Sequence, residues 1–330
     1  MSTTKKVLQV TGSAILVLLL LVTSSLAYIK WLLPDVGPAP RLRIHITPER
    51  VKRGQYLANH VTACMDCHST RDFSRFSAPP VPGTEGSGGQ GFGREEGFPG
   101  QFFARNITPY ALGTWTDGEI FRAITTGVSR DGTALFPLMP YKEYGKMDKE
   151  DIYAIIAYLR TLKPIKTYIP RSRTDFPTNV LINLLPEKNQ PATKPDTCDQ
   201  LNYGRYLTNA AGCTFCHTRQ EKGYVTGEAL AGGFQFSVPS GTLRSSNITP
   251  DDETGIGRWS EAIFVQRFKM YQPGKLEYIR QGDYNTIMPW SSYSQMDSAD
   301  LKAIYTYLSS LKPVKKSISR FSTVSIPPGE

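Results

Sequence analysis

The chain has 330 residues, of which 40% are hydrophobic, 20% charged and 11% aromatic, enough for about two domains of ~100–200 residues each. This composition excludes a largely disordered, collagen-like or coiled-coil protein, and it excludes a protein with many membrane spans. The formal net charge of +9 is spread along the chain. Because no basic run or nucleic-acid-binding motif accompanies that charge, we expect no nucleic-acid partner.

The chain begins with an apolar segment. Lys5 and Lys6 precede residues 7–27, which span about 31 Å as a helix, close to the thickness of the hydrocarbon core of a bilayer. Cleavage as a signal peptide after Ala27 would leave a soluble periplasmic protein. The apolar and aromatic residues that follow, up to residue 33, instead favour a retained anchor. We therefore expect a single transmembrane helix in the cytoplasmic (inner) membrane, with cleavage as the alternative, and the remaining chain in the periplasm in both cases.

The remaining sequence contains an internal repeat. A Cys-x-x-Cys-His motif, an Asn-Ile-Thr-Pro motif, a Met-Pro pair and a closing segment each occur twice. Their long spacing indicates a duplicated domain rather than a short-period solenoid. We divide the chain into a membrane segment (1–33), a tether (34–48), the first repeat (49–165), a Pro-rich linker (166–196), the second repeat (197–315) and a tail (316–330).

Each repeat is predicted to be mostly helical. Asp148 and Asp297 are the expected N-caps of the two closing helices, each of which has one apolar face. Thr116 begins another helix through a capping box, and Ser260 begins its counterpart. Since the segments between these helices carry little strand pattern, the expected fold class is mostly α, with long polar loops and one N-terminal transmembrane helix.

The cysteine pattern points to covalent haem. In Cys-x-x-Cys-His, two thiols add to the haem vinyl groups and the histidine binds the iron. A zinc site would need the two motifs to act together, because each copy has few spare ligands, and a thioredoxin-like site would need a βαβ unit. The predicted cofactors are two haems c, attached at Cys64, Cys67, Cys213 and Cys216, with His68 and His217 as axial iron ligands.

The second axial ligand determines what each iron can do. Outside the two motifs only His45 and His60 remain, and both precede the first motif. His60 lies one turn before Cys64 and is expected to share its helix. Met139 and Met288 each follow their haem histidine by 71 residues, and we predict that they are the second ligands. Histidine and methionine together give a six-coordinate iron suited to electron transfer.

Four other methionines have structural interpretations. Met147 and Met296 each precede an N-cap aspartate and would form a hydrophobic staple with the helix that follows. Met65 and Met270 are expected to pack in the interior.

Two further features carry no assigned role. Residues 86–91 match Gly-x-Gly-x-x-Gly, but no strand precedes them and no helix follows, so we expect a flexible loop and no nucleotide. Cys198 is a fifth cysteine outside the motifs. It is expected to be a buried thiol, with an intermolecular disulfide or a displaced haem ligand as alternatives.

The order of motifs resembles that of class I cytochrome c domains, and the tandem, membrane-anchored arrangement is similar to the cytochrome subunits of periplasmic alcohol, aldehyde and gluconate dehydrogenase complexes. The chain departs from the triple-haem subunits of that group because it has two motifs. The resemblance covers about residues 49–165 and 198–315. It implies two tandem class I domains, in which the residues near the haem edges are Asn106, Pro109, Trp115, Asn247, Pro250 and Trp259.

The expected function is relay of single electrons. The predicted donor is a dehydrogenase or a quinol-oxidising protein, and the predicted acceptor is another cytochrome or a terminal oxidase. The chain offers no acid, base or nucleophile for chemistry of its own, so it is not expected to be an enzyme. A dihaem peroxidase is the alternative, although the matched Met139 and Met288 leave neither iron open to peroxide. A purely structural haem subunit is a third possibility.

Overall fold

The computed structural model describes residues 3–221, 224–238, 241–280 and 283–323. It is mostly helical, with one long N-terminal helix followed by two copies of a helical unit. The helices are α1 (Thr3–Leu32), α2 (Pro48–Tyr56), α3 (Cys64–Cys67), α4 (Pro109–Leu112), α5 (Asp117–Thr126), α6 (Tyr141–Tyr144), α7 (Lys149–Thr161), α8 (Thr178–Leu181), α9 (Gln200–Ala210), α10 (Cys213–His217), α11 (Glu261–Lys269), α12 (Trp290–Tyr293) and α13 (Ser298–Ser309). A π-helical turn spans Leu57–Val61, and 3₁₀ turns span Arg94–Glu96 and Ile182–Leu184.

Short strands form three small antiparallel sheets. The strands are β1 (Gly91–Phe92), β2 (Gly100–Phe103), β3 (Arg173–Thr174), β4 (Gln220–Glu221), β5 (Tyr224–Val225), β6 (Gln235–Val238), β7 (Gly241–Arg244) and β8 (Phe321–Thr323). They pair in the orders β1-β2-β3, β4-β5 and β6-β7-β8. The expectation of long unpaired loops was therefore incomplete. Strands of two to four residues are too short to show an alternating apolar pattern.

Helix α1 carries the apolar segment. Within its stretch from Thr4 to Leu32, the most apolar 18-residue window has a mean hydropathy of 2.2 and no buried residue. The helix is thus long and apolar enough to cross a membrane, and a signal sequence at this position has the same properties. Residues 1–2 of the predicted membrane segment and residues 324–330 of the predicted tail lie outside the described residues.

Within each repeat, the first helix crosses the closing helix at a glycine. A Cβ atom at Gly54 on α2 would collide with the carbonyl oxygen of Ala154 on α7. The same collision would occur between Gly204 on α9 and Ala303 on α13. Because only glycine permits this approach, the two helix pairs pack backbone against backbone, and the apolar faces of α7 and α13 form much of the core.

The predicted helix starts are largely confirmed. Asp148 caps α7 by accepting the N–H of Glu150, and Thr116 forms the capping box of α5. Ser260 caps α11 as predicted. Asp297 occupies the N-cap position of α13, but its side chain makes no cap hydrogen bond.

The segment before the first haem motif has one more residue than its counterpart. Gly54 lies ten residues before Cys64, whereas Gly204 lies nine residues before Cys213. The extra residue is absorbed by the π-helical turn, in which the N–H of Thr62 donates to the carbonyl of Leu57. Ala63 then adopts a left-handed conformation. His60 therefore does not share a helix with Cys64, contrary to the expectation from spacing.

The two repeats contact each other through reciprocal hydrogen bonds. The Tyr56 hydroxyl donates to Asp300 Oδ2 at 2.7 Å, and the Tyr206 hydroxyl donates to Asp151 Oδ2 at 2.7 Å. Each hydroxyl also accepts the backbone N–H of the N-cap residue of the helix it reaches, at 3.0 and 3.3 Å respectively. Each repeat thus makes the same hydrogen bonds to the other across the interface, as in an isologous contact around a two-fold axis.

The segment between α1 and α2 lies against the first repeat. The N–H of Ile44 donates to Asp117 Oδ2 at 2.8 Å, and Leu42 and Ile44 pack against the core. The carbonyl of Pro40 approaches Gly118 so closely that a Cβ there would collide with it. The predicted tether is therefore in contact with α5 over part of its length.

Candidate functional site

The cysteines of both motifs lie on a single helical turn that follows a left-handed residue. Ala63 precedes Cys64 with φ of 48°, and Gly212 precedes Cys213 with φ of 65°. All four motif cysteines are free thiols and are partly buried. Burial raises the pKa of Cys67 to about 11 and that of Cys213 to about 12, so these thiols are protonated at neutral pH. Within each motif, the short helical turn keeps the two thiols on one segment.

The histidine of each motif is oriented by a backbone carbonyl. His68 Nδ1 lies 2.6 Å from the carbonyl oxygen of Arg105, and His217 Nδ1 lies 2.7 Å from that of Ser246. Since a carbonyl can only accept, Nδ1 carries the proton and Nε2 is left with a free lone pair. Burial lowers the pKa of both imidazoles below 6.5. Each ring is therefore neutral and held in a fixed orientation, as a metal-binding histidine must be.

A glycine in each repeat lets these carbonyls approach the histidine. The N–H of Gly88 donates to the His68 carbonyl at 2.9 Å, and that of Gly232 to the His217 carbonyl at 2.7 Å. Their φ angles are +72° and +70°, and a Cβ at either position would lie about 2.6 Å from the backbone of the Asn-Ile-Thr-Pro segment. The loop at residues 86–91 therefore has a structural role, because its Gly88 allows the close backbone approach. Sequence analysis, which considered this loop only as a nucleotide-binding motif, did not predict that role. The recurrence of Gly-Gly at 88–89 and 232–233 was the available signal.

The Asn-Ile-Thr-Pro motifs fix the loop that supplies these carbonyls. Asn106 Nδ2 donates to the carbonyl of Ile165, and Asn247 Nδ2 donates to that of Val314, both at 2.7 Å. In each repeat the asparagine Oδ1 accepts the N–H and hydroxyl of the threonine two residues on. Both asparagines are buried. The motif thus ties the histidine-binding loop to the segment that follows the closing helix.

The other residues predicted near the haem edges differ between the repeats. Pro109 begins α4, whereas Pro250 has no corresponding helix. Trp115 and Trp259 are partly buried and pack against the core. These positions are therefore structurally less alike than the two asparagines.

Both predicted methionine ligands occupy the same backbone turn. The N–H of Tyr141 donates to the carbonyl of Met139 across Pro140, and that of Trp290 to Met288 across Pro289, both at 2.7 Å. With proline φ of −77° and ψ near +60°, each is an inverse γ-turn. Both methionines are partly exposed.

The structural methionines are arranged differently. Met147 and Met296 are each 1% exposed and lie in the core, which fits the staple interpretation. Met65 is buried as predicted, whereas Met270 is exposed, so the prediction that Met270 packs in the interior was wrong. Cys198 is also exposed, so the expectation of a buried thiol was wrong. It lies in the turn before α9 and shows no role.

A tyrosine links each methionine segment to the cysteines of the same repeat. The Tyr144 hydroxyl donates to the carbonyl of Thr62 at 2.9 Å, and the Tyr293 hydroxyl donates to that of Ala211 at 2.6 Å. Each tyrosine follows its methionine by five residues, and each acceptor carbonyl belongs to the residue two before the first cysteine. Burial raises the pKa of both hydroxyls well above the ordinary value of 10.0. The recurrence of these tyrosines in the sequence was a signal that motif analysis did not use.

The two motifs lie near each other at the interface between the repeats. The Cys67 thiol is near enough to Cys216 to raise its pKa, after burial as the main cause, and the Tyr293 hydroxyl is influenced by Asp66 of the first motif. Helix α12 also packs against the π-helical turn of the first repeat. The two cysteine motifs therefore lie close together rather than at opposite ends of the molecule.

The donor set fits covalent haem better than a protein-only metal site. Each repeat holds two free thiols, one neutral imidazole and one partly exposed thioether. Throughout the described ranges, no three His, Cys, Asp or Glu side chains come together as a metal site. Two thiols for the vinyl groups and one nitrogen with one sulfur for the iron match the needs of haem c.

Comparison with known proteins agrees with this donor set. No family model matches the chain. The chain is 29% identical over 273 residues to the fructose dehydrogenase cytochrome subunit of Gluconobacter japonicus, covering 79% of this chain and 52% of that protein. It is 30% identical over 288 residues to the gluconate 2-dehydrogenase cytochrome c subunit of Pantoea cypripedii, covering 79% and 59%.

A third relative is shorter. The chain is 28% identical over 231 residues to a dihaem c-type cytochrome of Cereibacter sphaeroides, covering 67% of this chain and 74% of that protein. The chain spans a little over half the length of the dehydrogenase subunits that it matches. These similarities confirm the resemblance to cytochrome subunits of dehydrogenases that the motifs predicted.

Proposed function

We propose that the chain is a dihaem cytochrome c that relays single electrons, built from two tandem class I cytochrome c domains. Haem c would be attached at Cys64 and Cys67 in the first repeat and at Cys213 and Cys216 in the second. The proposed axial ligands are His68, Met139, His217 and Met288. The main support is the histidine–carbonyl contact that recurs in both repeats, because it leaves one imidazole nitrogen free in a fixed orientation.

In this mechanism the protein holds and insulates the redox groups. Haem iron supplies the one-electron change when bound. The Arg105 and Ser246 carbonyls orient the two imidazoles, and the Met-Pro turns present the two thioethers. The buried surroundings of the motifs would limit the access of water to a bound haem and influence the energy of its charged iron. Because α12 of the second repeat packs against the π-helical turn before the first motif, haems bound at the two motifs would lie near enough for an electron to pass between the repeats without another protein.

The proposed partners follow from the relatives. Several of these are cytochrome subunits of fructose, alcohol and gluconate dehydrogenases. We infer that the donor is a dehydrogenase or a quinol-oxidising protein and that the acceptor is a downstream cytochrome or terminal oxidase. Helix α1 would anchor the chain in the cytoplasmic membrane, with both repeats in the periplasm.

The peroxidase alternative is not favoured. Peroxidase chemistry needs one iron that can open to peroxide, and the two repeats present their methionines in the same turn. None of the relatives reported above is a peroxidase by name. The matched turns and the relatives therefore both support relay.

The test is replacement of each proposed methionine ligand in the purified, haem-loaded protein. Met139→Ala and Met288→Ala should each remove about half of the weak red absorption band of sulfur–iron coordination and lower the midpoint potential of one centre. Met270→Ala is the matched control, because Met270 is an exposed methionine outside both sites. Haem content should be two per chain in the parent protein.

Three results would contradict the proposal. One haem or none per chain would remove the dihaem assignment. An unchanged band in either ligand variant would exclude that methionine as the ligand. A high-spin centre in the parent protein together with turnover of hydrogen peroxide would favour the enzyme.

A further inference from the structure

We propose that the segment around α8 is a second membrane contact, lying in the interfacial layer of the bilayer beside the end of α1. This inference rests on the proposed retention of α1 as an anchor. The segment, residues 176–186, is called the interfacial segment below. Its predicted partner is the lipid surface itself.

The interfacial segment exposes large apolar side chains. Phe176 is 79% exposed, Leu184 is 51% exposed and Leu181 is 44% exposed. No charged residue occurs between Phe176 and Pro186. A soluble linker of this length normally carries charged side chains, whereas an interfacial segment presents apolar and aromatic ones.

The segment lies against the end of α1 that leaves the membrane. Helix α1 packs on α8 and on the 3₁₀ turn that follows it. Between residues 4 and 32, only Ala27 and Ile29 are partly covered, and all others are exposed. The contact is therefore confined to the last turns of α1. Asp35 and Lys188, just beyond the two elements, lie 3.9 Å apart.

The first repeat holds the segment on its other side. The N–H of Asp175 donates to the carbonyl of Pro99 at 2.9 Å, and the Asp175 carboxylate pairs with Arg94 at 2.5 Å. Strand β3, immediately before the segment, pairs with β2. Ile182 is buried, whereas Leu181 beside it faces outward. The segment is therefore positioned by folded structure, with an apolar face left toward solvent.

Continuity with α1 identifies the lipid surface as the occupant. Tyr28 and Trp31, near the end of α1, are also exposed. Aromatic residues at such a position lie at the level of the lipid headgroups. The exposed apolar side chains of the interfacial segment adjoin this same end, so they would lie at a similar depth. With both contacts made, the two repeats would be held in one orientation toward the membrane.

The test measures membrane depth at single sites of the full-length, haem-loaded protein. The protein is placed in vesicles of phosphatidylethanolamine and phosphatidylglycerol, in a Cys198→Ser background that removes the exposed thiol. A spin label is attached at Leu181→Cys, and its collisions with dissolved oxygen and with a water-soluble nickel chelate are compared. The matched control is Leu201→Cys on α9, since Leu201 is 45% exposed in the parent protein.

Lipid contact predicts a several-fold higher ratio of oxygen to nickel collisions at position 181 than at position 201. A third label, at Leu18→Cys, reports on the anchor alone. If position 18 is shielded from nickel but position 181 is as open as position 201, the proposal is wrong while the anchor stands, and the apolar face would then suit a protein partner. If position 18 is open to nickel, the anchor assignment fails and the proposal fails with it. Haem content and spectra, measured on the same samples, test the relay function separately.

Discussion

The first repeat carries Asp66 between its two motif cysteines, whereas the second carries Phe215 at the matching position. Asp66 is buried, and neither carboxylate oxygen has a hydrogen-bond partner among the described residues. Burial raises the pKa of this carboxyl, and the nearby Arg71 and Ser292 partly offset that rise. Phe215 instead lies edge-on against Phe234. The two motifs thus have the same predicted ligands but unlike surroundings.

The methionine turns differ in a similar way. Ser77, in the loop after the first motif, donates from its hydroxyl to the Met288 carbonyl at 2.6 Å and accepts the N–H of Trp290 at 3.1 Å. Ser77 of the first repeat therefore holds the Met288 turn of the second repeat in place through two hydrogen bonds. No equivalent bond from the second repeat reaches the Met139 turn among the described residues.

The contacts within each repeat and the contacts around the two motifs differ in how well they are duplicated. The contacts that orient ligands within a repeat are duplicated almost atom for atom, whereas the contacts around and between the motifs have diverged. Because the potential of a haem depends on nearby charge and burial, the two proposed haem centres, which have the same predicted ligands in unlike surroundings, are expected to differ in potential. Such a difference would favour electron transfer from the centre of lower potential to the centre of higher potential.

The helix crossing is the feature that the repeats share most strictly, and it gives the largest expected effect. Gly54→Ala and Gly204→Ala each place a Cβ on a backbone carbonyl, and each should destabilise the protein by about 3 kcal/mol or more in urea unfolding. Gly91→Ala is the control, because its Cβ would meet its nearest neighbour at 3.4 Å. A stable variant at either crossing would show that the two helix pairs are not equivalent.

Tyr56 and Tyr206 make matching hydrogen bonds between the repeats, but loss of their hydroxyls should lower the free energy of unfolding by different amounts. Tyr56→Phe leaves Asp300 without the hydroxyl that donates to it, and this should cost about 2 kcal/mol. Tyr206→Phe should cost only about 1 kcal/mol, because Asp151 keeps two hydrogen bonds from Arg53, at 2.9 and 2.8 Å. Urea unfolding measures both values. Equal losses of unfolding free energy would mean that the hydrogen bonds from Arg53 do not compensate Asp151 for the missing Tyr206 hydroxyl.

The smallest expected effect concerns His60, whose counterpart in the second repeat is Ala210. Burial lowers the pKa of His60 below 6.5; nearby Lys269 lowers it further, while Asp297 and neighbouring backbone groups act in the opposite direction. Folded protein therefore binds this proton less readily than unfolded protein, so stability is lost as pH falls below about 6.5. His60→Ala should make the fall in unfolding free energy shallower by at most about 1.4 kcal/mol per pH unit.

The slope, rather than the absolute stability, is the quantity to compare between the parent and His60→Ala, since the truncation itself changes packing. His45→Ala is the matched control, because the His45 side chain is in contact with water in the folded protein. An unchanged slope between pH 6.5 and 5 for His60→Ala would mean that His60 does not contribute to acid sensitivity.

Local chemistry made part of this fold predictable. The caps at Thr116, Asp148 and Ser260 satisfy the first N–H groups of their own helices, so residues a few positions apart are sufficient to identify them. The recurrence of Cys-x-x-Cys-His and Met-Pro likewise needs no knowledge of tertiary structure.

The features that sequence reasoning missed depend on distant segments. The contact of His68 with the Arg105 carbonyl joins residues 37 positions apart, and the Tyr56–Asp300 bond joins residues 244 positions apart. No local pattern encodes such a pairing. The π-helical turn at residues 57–61 was also missed, although the one-residue difference in spacing between the repeats was visible. Spacing alone does not show whether an extra residue lengthens a loop or bulges a helix.

The reciprocal interface suggests how such a chain could have arisen. Contacts in which residue i of one unit meets residue j of the other, and j meets i, are those that identical subunits form around a two-fold axis. An ancestor with a single domain and this surface would have assembled as a homodimer. Joining two copies end to end would then have freed each half to change independently, which identical subunits cannot do.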